Sequence, residues 1–487
     1  MLNKRIKWIF GLIGLSLLLS LSNLVFAQVQ QSVTIGERFN IDSKILGETR
    51  QIIIGKPRSY SEGSAKFPVV VLLDGDDHFH HTTGTANYLA ANGFIPEVLI
   101  VAIPNTDRTR DLTPRSDVPS DLAQMPTHGG ADNFLKFISD ELLPWVGKEY
   151  RTQDYKILIG HSFGGLFAIN SLTTRPDVFD AYIAISPSLQ WNNQGLVVQA
   201  EAFVDSHNSL NKDLYITAGN EGGRLVGGIQ KLTGILTEKS PQGLRWQFNL
   251  MESETHGSVP LRSTLQGLEM IYSDWRLVDP LQTYNSGGMD AVVGFYQRSS
   301  KKYGVKREIP PQILFELSHR LLQTGRPAEA GEVMTFDSNI FPAPAELLNQ
   351  AALALRDAGD KKQAIIYFTK ALQENPSSKT ASDNLNELGV NTKNLIKPVD
   401  LSEKVLARYV GRFEIPQVAV INLELKAGKL VRAMEGNPDT EMIPLSQTKF
   451  YRESDDVQYI FHLDDEGEAN SVTIRQGGQQ FLARRVK

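Results

Sequence analysis

The chain has 487 residues, 41% of them hydrophobic and 22% charged, no cysteine, and a formal net charge of −5. Such a chain is globular and long enough for two or three cores. Without cysteine it has no thiolate nucleophile, Cys-based metal site or disulfide, and its acidic balance argues against a nucleic-acid partner, whose phosphates it would repel.

Residues 1–27, "MLNKRIKWIFGLIGLSLLLSLSNLVFA", place Lys4, Arg5 and Lys7 before an apolar run that ends in Val25-Phe26-Ala27. A basic start, an apolar middle and small residues at the exit make a secretory signal peptide. The competing reading is an uncleaved anchor, since Trp8 to Ala27 is nearly long enough to span a bilayer; the small residues at the exit favour cleavage. The expected location is therefore the periplasm or the exterior, with no membrane contact once the signal is gone. Cleavage removes three positive charges and no negative ones, taking the net charge from −5 to −8.

Residues 28–278 alternate short β-branched runs with amphipathic stretches. The expected strands are "QIIIG", "VVVLLD", "EVLIVAI", "YKILIG", "AYIAIS", "DLYITAG" and "RWQFNLM". Between them, "GGADNFLKFISDELLPWVGKEY" sets Phe134, Ile138, Leu142 and Val146 four apart on one helical face. Continuous apolar strands alternating with helices predict an α/β fold, a mostly parallel sheet covered on both sides. In such a sheet ligands bind where strands end, so a functional residue should follow a strand.

Residues 279–396 read as helical. Here "LSHRLLQTGRPAEAGEVMTFDSNIFP" and "LNQAALALRDAGDKKQAIIYFTKALQENP" align at a 34-residue offset, pairing Gly325 with Gly359, Ala330 with Ala364 and Pro342 with Pro376. The pattern resembles the tetratricopeptide repeat, with a degenerate first copy. Two copies are few for a free solenoid, so the segment is expected to pack on a neighbour, either as a spacer or as a groove for a protein partner. Residues 397–487 turn to alternating strands, "GRFEIP", "VINLELKAGKLVRAM" and "VQYIFHLDDEGEANSVTIRQGGQQFLARRV". Their Ala-Gly, Glu-Gly and Gly-Gly turns predict a small antiparallel β domain. It resembles the β domain appended to some β-lactamase-type serine hydrolases and carries no recognisable chemistry.

The chemistry concentrates in "YKILIGHSFGGLFAIN". A buried strand running into GxSxG and then into a helix is the nucleophile elbow, which lifts the Ser162 hydroxyl above the sheet. A serine needs a base. Downstream within the α/β region stand His207, ahead of its strand in "DSHNSLNKDLYITA", and His256, behind its strand in "RWQFNLMESETHGSVP"; position selects His256. The third member follows "DLYITAG" as Glu221, with Glu252, Glu254 or a Ser-His dyad as alternatives. Oxyanion donors are expected from the N–H of Phe163, after the serine, and from the loop after the third strand, where Gly75 turns the chain to aim the N–H of Asp76. Asp74, Asp76, His78, His80 and His81 then serve as loop polar groups with no regular ligand spacing, so no metal is called for. Arg108, Arg110 and Arg115 follow a strand and suit an acidic or catecholate ligand, or else pin their own loop by pairing with Asp107 or Asp111. Trp191 is a pocket wall or a core residue, and His161 supports the loop.

"LLDGDDHF", "VAIPNTDRTRDLTP", "GHSFGGLFAIN" and "ISPSLQWNN" together resemble the bacterial esterase family of α/β-hydrolases that includes the siderophore trilactone esterases and lies near esterase D. The resemblance covers about residues 31–275. It implies carboxylic-ester hydrolysis through an acyl-serine, with Ser162 and His256 in the matching positions and no cofactor. The expectation is an exported serine esterase acting on a small-molecule ester. Its rivals are an inactive scaffold that recruits a partner through the repeats, and a peptidase or acyltransferase built on the same triad.

Overall fold

The central strands of the first sheet are runs of Val, Ile, Leu and Ala buried on both faces, which is what a sheet sandwiched between helices requires. The computed structural model describes residues 33–486 except Glu62, Asn208, Ser240, 338–342, 393–394, 416–418, 435–436, 453–456 and 477–478. The expected leader at 1–27, Pro342 of the repeat alignment and the Gly-Gly turn lie outside the described residues. The chain divides into two compact units, one ending at Arg276 and the other beginning at Leu277.

In the first unit the strands are β1 (Glu37–Ser43), β2 (Glu48–Gly55), β3 (Phe67–Leu72), β4 (Leu99–Ala102), β5 (Thr152–His161), β6 (Ala181–Ile185), β7 (Lys212–Gly219) and β8 (Leu244–Met251), in the sheet order β1-β2-β4-β3-β5-β6-β7-β8. From β4 to β8 every neighbouring pair is parallel, while β1 and β2 form an antiparallel edge. The chain steps from β3 outward to β4 and then back across to β5. That reversal opens a crevice at the carboxyl ends of β3 and β5, and Asp74-Gly75 and Ser162 both stand there.

The helical stretch after β4 behaves as its spacing requires. Phe134, Ile138, Leu142 and Val146 are all buried. Its middle, Ile138–Leu142, widens into a π-helical turn, next to Pro144, which has no N–H to return to a carbonyl one turn back. The loop after β4 is pinned by a buried charge cluster. Arg50 and Asp111, each about 1% exposed or less, form an ion pair, with Glu48 2.9 Å from Arg50 and the Arg50 guanidinium 5.1 Å from the Phe134 ring centre.

In the second unit, helices Pro311–Gln323 and Pro327–Met334 form one helix-turn-helix and Ala345–Asp357 and Lys361–Glu374 the next, followed by Lys379–Glu387. Gly325 and Gly359 make equivalent turns at φ 73° and 89°, and Ala330 and Ala364 are both fully buried. At Gly331 a Cβ would strike the Tyr367 ring at 2.1 Å, so the repeats close on each other through a residue with no side chain. Beyond them, among the described residues, lies an antiparallel sheet of nine strands between Gly411 and Val486. It joins the repeat helices through Lys449 Nζ, 3.0 Å from Glu374, and the Ser377 hydroxyl, which donates to the Arg452 carbonyl at 2.7 Å.

Candidate active site

β5 delivers Gly160-His161-Ser162-Phe163-Gly164 to the crevice, and Ser162 takes φ 60°, ψ −112° at the start of helix Phe163–Thr174. A non-glycine residue held in such a conformation costs about 1–3 kcal/mol, so its neighbours must enforce it. The Ser162 N–H donates to the Ile185 carbonyl at 2.9 Å, and its own carbonyl accepts from Leu166 at 2.9 Å and Ser188 at 3.1 Å. The flanking glycines are obligatory. A Cβ on Gly160 would lie 2.2 Å from the Gly164 carbonyl oxygen, and one on Gly165 2.9 Å from that of Ile185.

Past the ends of β7 and β8, Glu221 and His256 come together, with Oε2 and Nδ1 3.1 Å apart. The other Glu221 oxygen accepts from the Ser186 hydroxyl and from the Gly219 N–H at 2.9 Å. Burial alone would raise the Glu221 pKa, but Ser186, His256 and Gly219 together outweigh it and hold the carboxyl below its ordinary value. Of the three acids weighed from sequence, Glu221 is the one at His256: the Glu254 carboxylate is taken by Arg262 at 2.6 Å and the Ser258 hydroxyl at 2.6 Å, and Glu252 is exposed. His207 caps the preceding helix, Nδ1 being 2.8 Å from the Phe203 carbonyl.

The His256 ring rests on that of His161, the residue before Ser162, with centres 4.5 Å apart. The Ser162 hydroxyl itself lies 3.2 Å from the Ser188 hydroxyl. Its hydrogen-bond partner among the described residues is thus Ser188 and not His256; catalytic hydrogen bonds often tighten only when substrate is bound.

On the β3 side, Asp74 is 2% exposed and sits in left-handed backbone at φ 52°, ψ 50°. Its carboxylate accepts from Asn105 at 2.7 Å and from Arg108 at 2.6 and 2.9 Å, and Arg108 also donates to the His161 carbonyl at 3.1 Å. Burial favours the neutral acid; Arg108 and Asn105 overcome this and keep the Asp74 pKa low. The Asp74 carbonyl accepts the N–H groups of Asp77 and His78, both at 3.1 Å, and the Gly75 N–H is spent on the Ile103 carbonyl at 2.9 Å. The Asp76 and Phe163 N–H groups have no acceptor among the described residues. A Cβ on Gly75 would lie 2.8 Å from the Pro104 nitrogen, which explains the glycine at the turn.

The arginines are committed to carboxylates. Arg108 is bound as above and stacks 5.5 Å from the Phe163 ring centre, Arg110 reaches Glu48 at 2.6 Å and Asp111 at 2.7 Å, and Arg115 is exposed beside Asp117 at 3.4 Å. Trp191, 6% exposed, donates its indole N–H to the Pro114 carbonyl at 2.9 Å and meets Phe163 edge-on at 5.6 Å. Sequence reasoning missed Ser186, Ser188 and the Asp74 to Arg108 pairing. Among the described residues no group of three or more His, Asp or Glu side chains is placed to hold a metal ion.

The Esterase family model matches residues 43–242. Over 241 residues the chain is 32% identical to the ferri-bacillibactin esterase BesA of Bacillus subtilis, an alignment covering 45% of this chain and 83% of that one. The chain belongs to the esterase family. It is a carboxylic-ester hydrolase, and its sheet is that of the α/β-hydrolases. It is also similar to the siderophore enterobactin esterase of Emericella nidulans, 35% identical over 32% of this chain and 58% of that one, so it spans little more than half of that relative. Among solved structures, an IroE-like serine hydrolase from Shewanella oneidensis superposes with a TM-score of 0.53 at 29% identity, covering 61% of this esterase and 97% of that chain. Outside the hydrolase sheet, the tetratricopeptide repeat model matches residues 345–378, and a model described as a domain of unknown function (DUF3471) matches 397–484.

Proposed function

We propose that this esterase is an exported serine hydrolase that cleaves carboxylic esters through an acyl-Ser162 intermediate. The observation that carries the reading is the His256 imidazole, paired with Glu221 at 3.1 Å and resting on the residue next to the strained serine. With Nδ1 turned to Glu221, the free Nε2 is the one available to the nucleophile. The Ser162 hydroxyl turns from Ser188 to His256 and passes its proton to Nε2 while Oγ bonds to the ester carbonyl carbon. The Phe163 and Asp76 N–H groups, which have no acceptor of their own among the described residues, receive the negative oxygen. Collapse of the tetrahedral intermediate breaks the bond to the alcohol, which leaves with the proton from His256. Water then repeats the cycle on the acyl-enzyme and releases the acid.

Glu221 holds the imidazole tautomer and offsets its transient charge. Arg108 and Trp191 both contact the Phe163 ring and are the candidates to meet substrate beside it, while Arg110 acts on the loop through Glu48 and Asp111. Export rests on the 1–27 leader pattern. Ferri-bacillibactin and enterobactin, named in the relatives, are the first substrates to assay, beside p-nitrophenyl butyrate. Ser162→Ala is expected to lower kcat by about 10⁴-fold or more with the fold intact. A wild-type rate in that variant refutes the assignment.

A further inference from the structure

His161 fills the unspecified position before the serine in GxSxG, where the motif makes no demand on residue type. Named groups nevertheless surround much of its ring. His256, from the loop after β8, lies at 4.5 Å between ring centres with a 43° tilt. His78, from helix Gly75–Ala91, meets it edge-on at 5.5 Å and is tied in turn to His81, their nitrogens 3.1 Å apart. Asp74, at the end of β3, and Arg108, from the loop after β4, complete the surroundings, Arg108 holding the His161 backbone carbonyl at 3.1 Å.

We propose that His161 is a positioning residue for His256, an uncharged aromatic surface that fixes the imidazole beside Ser162 and stabilises the positive charge it acquires when it takes the serine proton. The inference rests on the reading of His256 as the base. His161 gives up and receives no proton in the cycle; it acts through its π face, which attracts a cation lying over it. This requires the ring to stay neutral. Burial first, then the nearby His256 and His78, push its pKa down to about 4, so it is uncharged at neutral pH. A protonated ring in that place would set two cations with centres 4.5 Å apart.

The test uses the full chain with His161→Phe, His161→Leu and His161→Lys, measuring kcat and KM for p-nitrophenyl butyrate between about pH 5 and 9, and melting each variant. Phe keeps the aromatic face and is expected to stay within about threefold of the wild-type kcat. Leu fills the space without it and should lower kcat by about three- to thirtyfold with KM nearly unchanged. Lys should lose more and move the acid limb of kcat/KM to lower pH, because a fixed cation disfavours protonated His256. Equal kcat for Leu and Phe overturns the proposal, as does a Phe variant as impaired as Lys; should Leu fail to fold, the Phe and Lys pair decides. His256→Ala assayed alongside separates the two levels. If it retains activity the triad reading fails, whereas if it is inactive while Leu matches Phe only the role of His161 fails.

Discussion

The hydrolase unit and the repeat helices both send the backbone through left-handed conformations, but with different residues. In the repeats the positive φ values fall on glycines, Gly304, Gly325, Gly359 and Gly389, at helix ends where an added Cβ would meet nothing within 4 Å. These are inexpensive turns. The hydrolase unit has such glycine turns too, but there positive φ also falls on non-glycine residues: on Asp74, Ser162 and Ser186, just past β3, β5 and β6, on the run Asn192-Asn193-Gln194 behind Trp191, and on Asn211. Each of these costs about 1–3 kcal/mol and persists because hydrogen bonds and close packing impose it. Non-glycine departure from local preference thus marks the strand ends at the candidate site, whereas the helix ends of the repeats turn on glycine.

That contrast can be broken or sharpened by substitution. The largest expected effect is on rate. Glu221→Gln keeps the shape of the acid but not its charge, and should lower kcat by about 10⁴-fold with the melting temperature little changed; loss within tenfold would leave a Ser-His dyad as the working unit. Next comes Gly160→Ala, whose Cβ meets backbone at 2.2 Å and should cost more than about 4 kcal/mol in urea unfolding. Asp111→Ala takes the buried carboxylate from the Arg50 guanidinium, which keeps Glu48 and the Pro104 carbonyl, and should cost about 3 kcal/mol. The same glycine-to-alanine change at Gly359, with open space around it and only φ 89° against it, should cost about 1–2 kcal/mol. If Gly160→Ala and Gly359→Ala prove equally mild, the distinction between the two regions fails.

A further effect, confined to acid pH, is on stability. Burial, reinforced by neighbouring histidines, lowers the pKa of His81 and His161 from 6.5 to about 4. The unfolded chain therefore binds more protons between these values. Stability is full above about pH 6.5 and declines as pH falls toward 4. Melting curves of His81→Phe and His161→Phe should be flatter than wild type in that window and parallel to it above.

Much of this was legible beforehand. Apart from the last, "RWQFNLM", the quoted strands are apolar runs buried from both faces, and the sheet carries each of the seven where its sequence predicts. β1 was missed because Glu37, Arg38, Asn40 and Asp42 alternate with partly exposed apolar residues at an open sheet edge. Gly325 and Gly359 were readable because a repeat announces itself at a fixed offset. In the candidate site, the elbow at Ser162 was legible from its motif, and the positions of His256 and Glu221 past strand ends from their places in the sequence. The contacts that hold them were not. Asp74 meets Arg108 across 34 residues, Ser162 meets Ser188 across 26, and Ser186 meets Glu221 across 35. No periodicity links such positions; only the crossing of the chain at the centre of the sheet brings them together.

The most direct test of the central claim, that Ser162 is a nucleophile activated by His256, is to label the full chain with a fluorophosphonate and map the adduct by peptide mass. One rapid modification is expected, on Ser162, absent in Ser162→Ala and at least about a hundredfold slower in His256→Ala. An adduct on Ser188 or any other serine, or an unchanged labelling rate without His256, would contradict it.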